Sequence, residues 1–401
     1  MNPPLGLEAR HAGHLRTLNL ERILTVAMDR PAALTRQELG QVTSLSAPTI
    51  SILATDLLRR GLLRDAGAAA SRGGRRATLV EFNARYGVVL GIDIGSLDTR
   101  LAVADLRGEI LARSAMPTAA RAEPADLLAG VAAAARALLR ETAIAGSTLM
   151  AVAAAVPGAV DRERGVVVAL APNLKGWHHV PVAEILGRSL GASVVVDNDV
   201  NLAVVGERWR GVARGHDTCA FLSVGAGIGA GIVIGGELHR GHHSLAGEIG
   251  LMCPGPEYAE HDFGNRGGLE SMAAMKALGE LWGAPKAPRG DGWIADLFTA
   301  AQRGEGHAQD VVRQVGVLLG MATTNLALVV DPSLIVFGGP LLASGSPLLD
   351  ETRRVVARII PSPPEMLASE LGHDATLWGC LLAATHEART RVRNSLRSQR
   401  A

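Results

Sequence analysis

The sequence predicts an α/β protein whose main body is preceded by a winged helix-turn-helix, and three observations carry that reading. Residues 34 to 63 hold two helical patterns with cap signals and a short polar break between them. A basic turn follows, between two strand-like runs, and from residue 87 the texture changes to short apolar strands and alanine-rich helices. At 401 residues the chain exceeds one ordinary core, so two or three domains are expected.

Composition narrows the class before any motif is considered. No uninterrupted apolar run reaches the roughly 18 residues needed to span a bilayer, and the opening "MNPPLGLEARHAGHL" is too polar for a signal segment. A cytoplasmic protein with no membrane partner is expected. Cys219, Cys253 and Cys380 lie far apart and fit no C-x-x-C spacing, so buried neutral thiols are expected rather than disulfides or a cysteine-built metal site. Residues 1 to 86 carry 12 Arg, no Lys and 7 acidic residues, a net +5, which leaves about −4 for the rest. Such asymmetry suits a small basic module on a near-neutral body.

In "LTRQELGQVTSLSAPTISILATDLLRRGLL" (34 to 63), Thr35 and Glu38 have capping-box spacing, so a helix starts there. Ser46 is a second N-cap, with Pro48 tolerated in the first turn because its missing N–H would be unpaired anyway. Ile50, Leu53, Ala54 and Leu57 recur at i, i+3, i+4 and i+7 and form one buried stripe. The other face is small and polar, with Thr49, Ser51 and Thr55, and Gly61 terminates the helix. A second helix with short hydrogen-bonding side chains on its exposed face can enter a major groove closely. The run "SRGGRRATLVEF" then forms a wing whose Arg72, Arg75 and Arg76 are placed to reach backbone phosphate. A small helical packing domain with a solvated arginine loop is the plainer alternative.

The body holds "YGVVLGIDIGSLDTRLAVADLRGEIL" (86 to 111), read as strand, turn, strand and a hairpin at Arg107-Gly108, then "VVVDNDVNLAVVGERW", "FLSVGAGIGAGIVIGGELHRG" and "VVDPSLIVFGGPLL". The glycine run at 225 to 231 leads from one strand into another rather than into a helix, which excludes a dinucleotide fingerprint. With its D-N-D-x-N run at 197 to 201, the glycine run followed by "HRGHHSLAGEIG", and the stretch "HDFGNRGGLE" (261 to 270), the chain resembles the ROK family of bacterial sugar kinases and sugar-responsive repressors. The likeness covers nearly the whole chain, because the repressor branch also begins with a winged helix-turn-helix.

That resemblance implies a two-lobed actin- or hexokinase-like fold with a cleft that takes a sugar. It implies a flexible N-terminus at 1–14, a DNA-binding domain at 15–83 and a kinase-like domain at 84–401. The first lobe would span about 84–200 with the C-terminal helix, and the second about 201–380. Asn198, Asp199, Glu248 and Glu270 match the family's sugar contacts, with Asn173 in "APNLKGW" a further candidate. In a kinase Asp199 would also be the base that accepts the sugar hydroxyl proton; a turn aspartate is the plainer reading.

The nucleotide side departs from the family pattern. The family's first phosphate loop resembles D-x-G-G-T-K, whereas this chain has "DIGSLDT", with Leu97 where a hydroxyl belongs and Asp98 where a cation or neutral group would face phosphate. Its second loop reads "GAGIGAG", with Ala226 and Ala230 as departures, and Pro340 stands in "FGGP". These changes argue against catalysis and favour a packing role for the glycines.

Family members carry a zinc held by one histidine and three cysteines. Here those positions are Leu251, His261, Phe263 and Gly268, and one imidazole cannot build a tetrahedral site. No metal cofactor is expected, and Phe263 suggests that apolar packing holds the loop. Cys253, His261 and Asp262 make only an improvised alternative, and His242 and His243 are expected to be solvated or core residues. The family histidine at 251 also touches sugar, so Leu251 suggests an altered ligand. Three functions follow. They are a repressor on double-stranded operator DNA with a sugar or sugar-derivative effector, acting as a homodimer or higher homo-oligomer; an active ATP-dependent sugar kinase with an appended DNA-binding domain; and a ligand-independent DNA-binding dimer.

Overall fold

A computed structural model describes residues 5–68, 77–142, 148–284 and 292–398. The chain begins with α1 (Leu5–Asp29), β1 (Leu34–Thr35), α2 (Arg36–Thr43), α3 (Ala47–Arg59), β2 (Leu63–Ala68) and β3 (Thr78–Phe82). Residues 5–14, expected as a flexible N-terminus, are instead the start of α1. Its apolar positions Leu20, Ile23, Leu24, Ala27 and Met28 repeat on one face and are buried, which anchors the helix and lets it continue upstream.

Local chemistry fixes the next two helices. Thr35 and Glu38 complete a reciprocal capping box at the start of α2, and the Ser46 hydroxyl accepts from the Thr49 N–H at the start of α3, with Pro48 in its first turn. A cap of this kind contributes about 1 kcal/mol. Ile50, Leu53, Ala54 and Leu57 are all buried, and Gly61 follows α3 in the left-handed region at φ 70°. β3 pairs antiparallel with both β1 and β2.

The body contains two sheets of one design. The first is built from β4 (Gly87–Ile94), β5 (Asp98–Asp105), β6 (Ile110–Pro117), β7 (Thr148–Val156) and β10 (Ser193–Asn198), flanked by α4 (Pro124–Glu141) and α5 (Val182–Leu190), with the small ribbon β8 (Ala159–Asp161) and β9 (Val166–Ala169) at its edge. Its order is β10-β7-β4-β5-β6. After α6 (Asp199–Arg210), the second sheet takes β11 (Cys219–Val224), β12 (Ile228–Ile234), β13 (Glu237–His239), β14 (Leu334–Gly338) and β15 (Glu365–Ala368), in the order β13-β12-β11-β14-β15. Each sheet is three antiparallel strands extended by two parallel ones, so the body is a duplicated unit.

The second sheet is covered by α7 (Gly268–Ala273), α8 (Met275–Trp282), α9 (Gly292–Gln302), α10 (Gly306–Val330) and α11 (Pro347–Ile359), and α12 (Ala375–Ser398) closes the chain. α10 is long and apolar enough to cross a membrane by length and composition, but 61% of that stretch is buried within the protein. Gly316 and Gly320 of α10 let Glu351 and Val355 of α11 approach where a Cβ would clash.

α6 and α12 join the two halves. A Cβ on Gly379 would fall 1.9 Å from the Leu202 carbonyl, and one on Gly206 would fall 2.0 Å from that of Ala375, so these helices cross with backbones nearly touching. One continuous core runs from α1 and α3 through Ala102 and Ala104 to Leu381, Ala384, Ala388 and Val392 of α12. The N-terminal unit therefore shares its core with the body. Arg107 strengthens the junction by donating to the Ala27 and Arg30 carbonyls (3.2 and 2.8 Å), which would otherwise be orphaned at the end of α1.

Cys219 and Cys380 are buried as expected, but Cys253 is exposed. It sits in a surface turn and donates to the Gly255 carbonyl at 3.0 Å. Burial raises the Cys219 thiol to about 11 and pushes Cys380 well above its ordinary range.

Candidate functional site

The two halves enclose a cleft of about 680 Å³, within the range of small-molecule sites. All five residues singled out for a ligand, Asn173, Asn198, Asp199, Glu248 and Glu270, line it. They come from separate places in the chain. Asn173 lies between β9 and α5, Asn198 and Asp199 at the β10–α6 junction, Glu248 in the loop after β13, and Glu270 in α7.

Asn198 has a structural duty beside any other. Its Oδ1 caps α6 by accepting from the N–H groups of Val200 (2.9 Å) and Asn201 (3.0 Å), and its Nδ2 donates to the Gly158 carbonyl (3.0 Å). One amide N–H remains for a ligand. Asp199 opens α6, and its carboxyl accepts from the Val200 N–H at 2.9 Å. Burial raises it to about 7, the Glu248 charge adding to the effect. Glu248 is likewise raised to about 7 by burial and by the Glu270 charge, and Glu270 is raised by burial, opposed by the Ile228 N–H and Arg266. Three carboxyls thus crowd one end of the cleft, two of them poised near neutrality as a proton acceptor or hydrogen-bonding acid requires.

The residues of the 93–98 turn are arranged differently. Leu97 is 66% exposed and lines the cleft together with Asp98 and Pro340. Arg100 is the cation nearest them, and it is already engaged. It pairs with Asp93 (2.9 Å) and Asp98 (3.4 Å) and donates to the His373 carbonyl. Asp93 is raised to about 7 by burial, with Arg100 opposing. The glycines of the 225–231 run serve packing: a Cβ on Gly231 would meet the Val200 carbonyl at 2.5 Å, and one on Gly229 would meet the Val200 side chain at 3.2 Å.

The 261–270 loop does not fit a tetrahedral metal. Leu251 and Phe263 offer no donor atom. A Cβ on Gly268 would fall 2.5 Å from Pro254, which leaves no room for a ligating side chain there. Among the described residues no three His, Cys, Asp or Glu side chains group as metal ligands would. Phe263 packs against His261 and Tyr258, with ring centroids 4.4 and 6.0 Å apart. Leu251 is 42% exposed and is not part of the cleft wall, so the expected loss of a polar contact at 251 finds no direct path to a ligand. His242 and His243 are exposed.

On the N-terminal unit, Ser51 is exposed while Thr49 and Thr55 are half-buried. Arg36, which the sequence reading passed over, reaches across from α2 and donates to the Ser51 hydroxyl (3.1 Å) and the Thr55 hydroxyl (3.3 Å). Ile52 beside them is 58% exposed. Arg72, Arg75 and Arg76 lie outside the described residues.

Three further residues escaped the sequence reading. Asp197, the first acid of D-N-D-x-N, is buried, and its Oδ2 accepts from Nη2 and Nε of Arg240 (2.6 and 3.1 Å), a pair that links the two halves. Arg100 and Arg266 reach cleft residues from 7 and from 93 positions away in the chain. Only their chemistry, an arginine near several acids, could have signalled them.

Comparison with known proteins agrees with this architecture. The family model for the ROK family matches residues 89–387. The xylose repressor of Caldicellulosiruptor bescii is 26% identical over 85% of this chain and 88% of its own length. A glucokinase of Streptomyces coelicolor is 32% identical over 73% of this chain and 96% of its own length. Among solved structures, a ROK family transcriptional regulator described as a homologue of the E. coli Mlc protein aligns with a TM-score of 0.75 at 22% identity, covering 95% of this chain and 99% of that one.

Proposed function

The chain belongs to the ROK family, and from that premise we propose that it is a transcriptional regulator, a cytoplasmic repressor of sugar-metabolism genes whose kinase-like body senses a sugar or sugar derivative without phosphorylating it. The observation that carries this reading is the contrast between two sets of cleft residues. The cleft wall keeps Asn198, Asp199, Glu248 and Glu270 for hydroxyl groups, while the positions of the family's first phosphate loop present Leu97, Asp98 and an arginine already engaged by Asp93 and Asp98. Phosphoryl transfer depends on positioning and charge stabilisation of the phosphates, and among the described residues lining the cleft the one arginine, Arg100, is already paired. With no donor atom at Leu251, Phe263 or Gly268, the 261–270 loop would be held without zinc.

The N-terminal unit supports the other half of the proposal. Its capped α2–α3 pair and antiparallel β2 and β3 suit a winged helix-turn-helix in which Thr49, Ser51 and Thr55 would face the major groove; Arg72, Arg75 and Arg76, outside the described residues, are the candidates for phosphate. The repressor match extends over 85% of the chain against 73% for the glucokinase. A homodimer would place two such helices on two half-sites.

Coupling runs along α12. At one end the Thr376 hydroxyl donates to the Asp199 carbonyl (3.3 Å), and at the other Arg397 holds Glu21 of α1. Sugar closes the cleft, α6 and α12 shift together, and the spacing of the paired α3 helices no longer suits the operator. A mobility-shift assay on the chain's own upstream DNA, with and without a sugar panel, tests this; failure to bind any DNA sinks it.

A second reading, an active sugar kinase, is favoured by Asp199, whose raised carboxyl at the start of α6 suits a general base. A coupled ADP-release assay across hexoses decides between them. Turnover that vanishes in Asp199→Asn would establish the kinase.

A further inference from the structure

Arg266 stands in the short turn Gly264–Arg266, inside the loop that lacks a tetrahedral donor set, and it reaches two of the five cleft residues. Its Nη2 donates to Asn173 Oδ1 at 3.2 Å, and its Nη1 lies 3.9 Å from Glu270 Oε1. Asn173 belongs to the first half of the body and Glu270 to the second. One guanidinium therefore bridges the cleft.

The bridge fixes what each partner can offer. A guanidinium only donates, so Asn173 must turn its carbonyl oxygen to Arg266 and its amide nitrogen the other way. That nitrogen donates to the Ala226 carbonyl at 3.4 Å and keeps a second N–H for the cleft. Glu270 has a side chain only 10% exposed. Its Oε2 accepts from the Ile228 N–H (3.1 Å), whereas its Oε1 has no hydrogen-bond donor, because 3.9 Å is too long for one. Gly227 allows the two residues to meet. A Cβ there would sit 2.9 Å from Glu270 Oε2 and 3.9 Å from Asn173 Nδ2.

We propose that Arg266 is the positioning residue of this cleft, locking Asn173 as a donor and Glu270 as an acceptor toward one bound sugar and tying the two halves together. The sugar part of this rests on the sensing function proposed above; the tie between the halves does not. Arginine suits the task because its planar guanidinium can bond Asn173 through one nitrogen while holding its charge beside Glu270 with another, which a lysine ammonium on a flexible stem does less well.

The test uses the full chain and two variants, Arg266→Met, which keeps the stem and removes every donor, and Arg266→Lys, which keeps the charge. Hydrogen–deuterium exchange without ligand should accelerate about tenfold in residues 170–177 and 223–230 of Arg266→Met, as expected for losing a charge-assisted hydrogen bond, with Arg266→Lys in between. Exchange unchanged in those segments, or raised equally throughout the chain, overturns the proposal. Calorimetry with D-xylose and with D-glucose is the second readout. Where the parent chain binds either sugar, Arg266→Met should bind it about tenfold more weakly at an unchanged Tm, and equal affinity overturns the positioning role. If neither sugar binds the parent chain, the sensing function loses support while the exchange data still decide the tie.

Discussion

Arg397, in the last turn of α12, holds Glu21 of α1 through two parallel bonds of 2.6 and 2.7 Å. The opposite end of the same helix reaches the cleft, where Thr376 bonds the Asp199 carbonyl. Twenty-four residues of helix, about 36 Å at 1.5 Å per residue, therefore run from the candidate ligand site to the N-terminal unit. Arg397→Ala is predicted to leave operator affinity near that of the parent chain but to shrink the sugar-induced change in affinity at least threefold or so. The stability loss should be small, because Arg397 is largely solvated. Operator titrations with and without sugar decide it, and an undiminished sugar response removes α12 from the coupling path.

What could be read in advance follows the range of the interaction. Thr35, Glu38, Ser46 and the Ile50–Leu57 stripe act within one or two helical turns, and each stands in the structure as its spacing indicated. The residues lining the cleft were legible through motif likeness. Their hydrogen-bonding duties were not: nothing in "DNDVN" distinguishes Asn198 as the cap of α6 or Asp197 as the partner of Arg240, 43 positions later. The same holds for Arg266 and Asn173, which meet only because the two halves fold toward each other. Cys253 misled for a related reason, since its residue type favours burial while the surface turn around it does not.

The cleft acids make stability depend on pH in a definite direction. Asp199 and Glu248 rise from ordinary values of 3.8 and 4.5 to about 7, first through burial and then through the neighbouring Glu248 and Glu270 charges. Between those limits the folded protein keeps protons that the unfolded chain has released. The stabilisation is complete below the unfolded values and is lost as pH rises toward 7. The double variant Asp199→Asn, Glu248→Gln should therefore lose less Tm than the parent chain between about pH 5 and about pH 8. Parallel Tm profiles would show that neither carboxyl is perturbed.

The α6–α12 crossing predicts the most damaging small substitution. At Gly379 the Cβ of alanine would fall 1.9 Å from the Leu202 carbonyl, and backbone cannot yield as a side-chain tip can. Gly379→Ala is expected to cost about 3 kcal/mol through forced separation of the helices, despite alanine's better helix propensity. Gly292→Ala, at an open helix start with nothing within 4 Å, is the control and should change stability little. Urea denaturation of both variants gives the comparison, and equal midpoints contradict the crossing as described.

Arg36 offers a test of the DNA-facing surface that leaves the fold intact. It bonds the hydroxyls of Ser51 and Thr55, two of the three α3 residues proposed to meet DNA, so it both orders that face and adds a charge to it. α3 itself is secured elsewhere, by Ser46 at its start and by its buried stripe. Arg36→Ala should thus keep its circular dichroism and melting curve while operator affinity falls about tenfold, with a salt dependence shallower by about one ion if the guanidinium meets phosphate. Arg36→Lys, which restores charge but not the forked contact to both hydroxyls, should recover the salt slope more fully than the affinity. Full operator affinity in Arg36→Ala would place the DNA contact on another face of the unit.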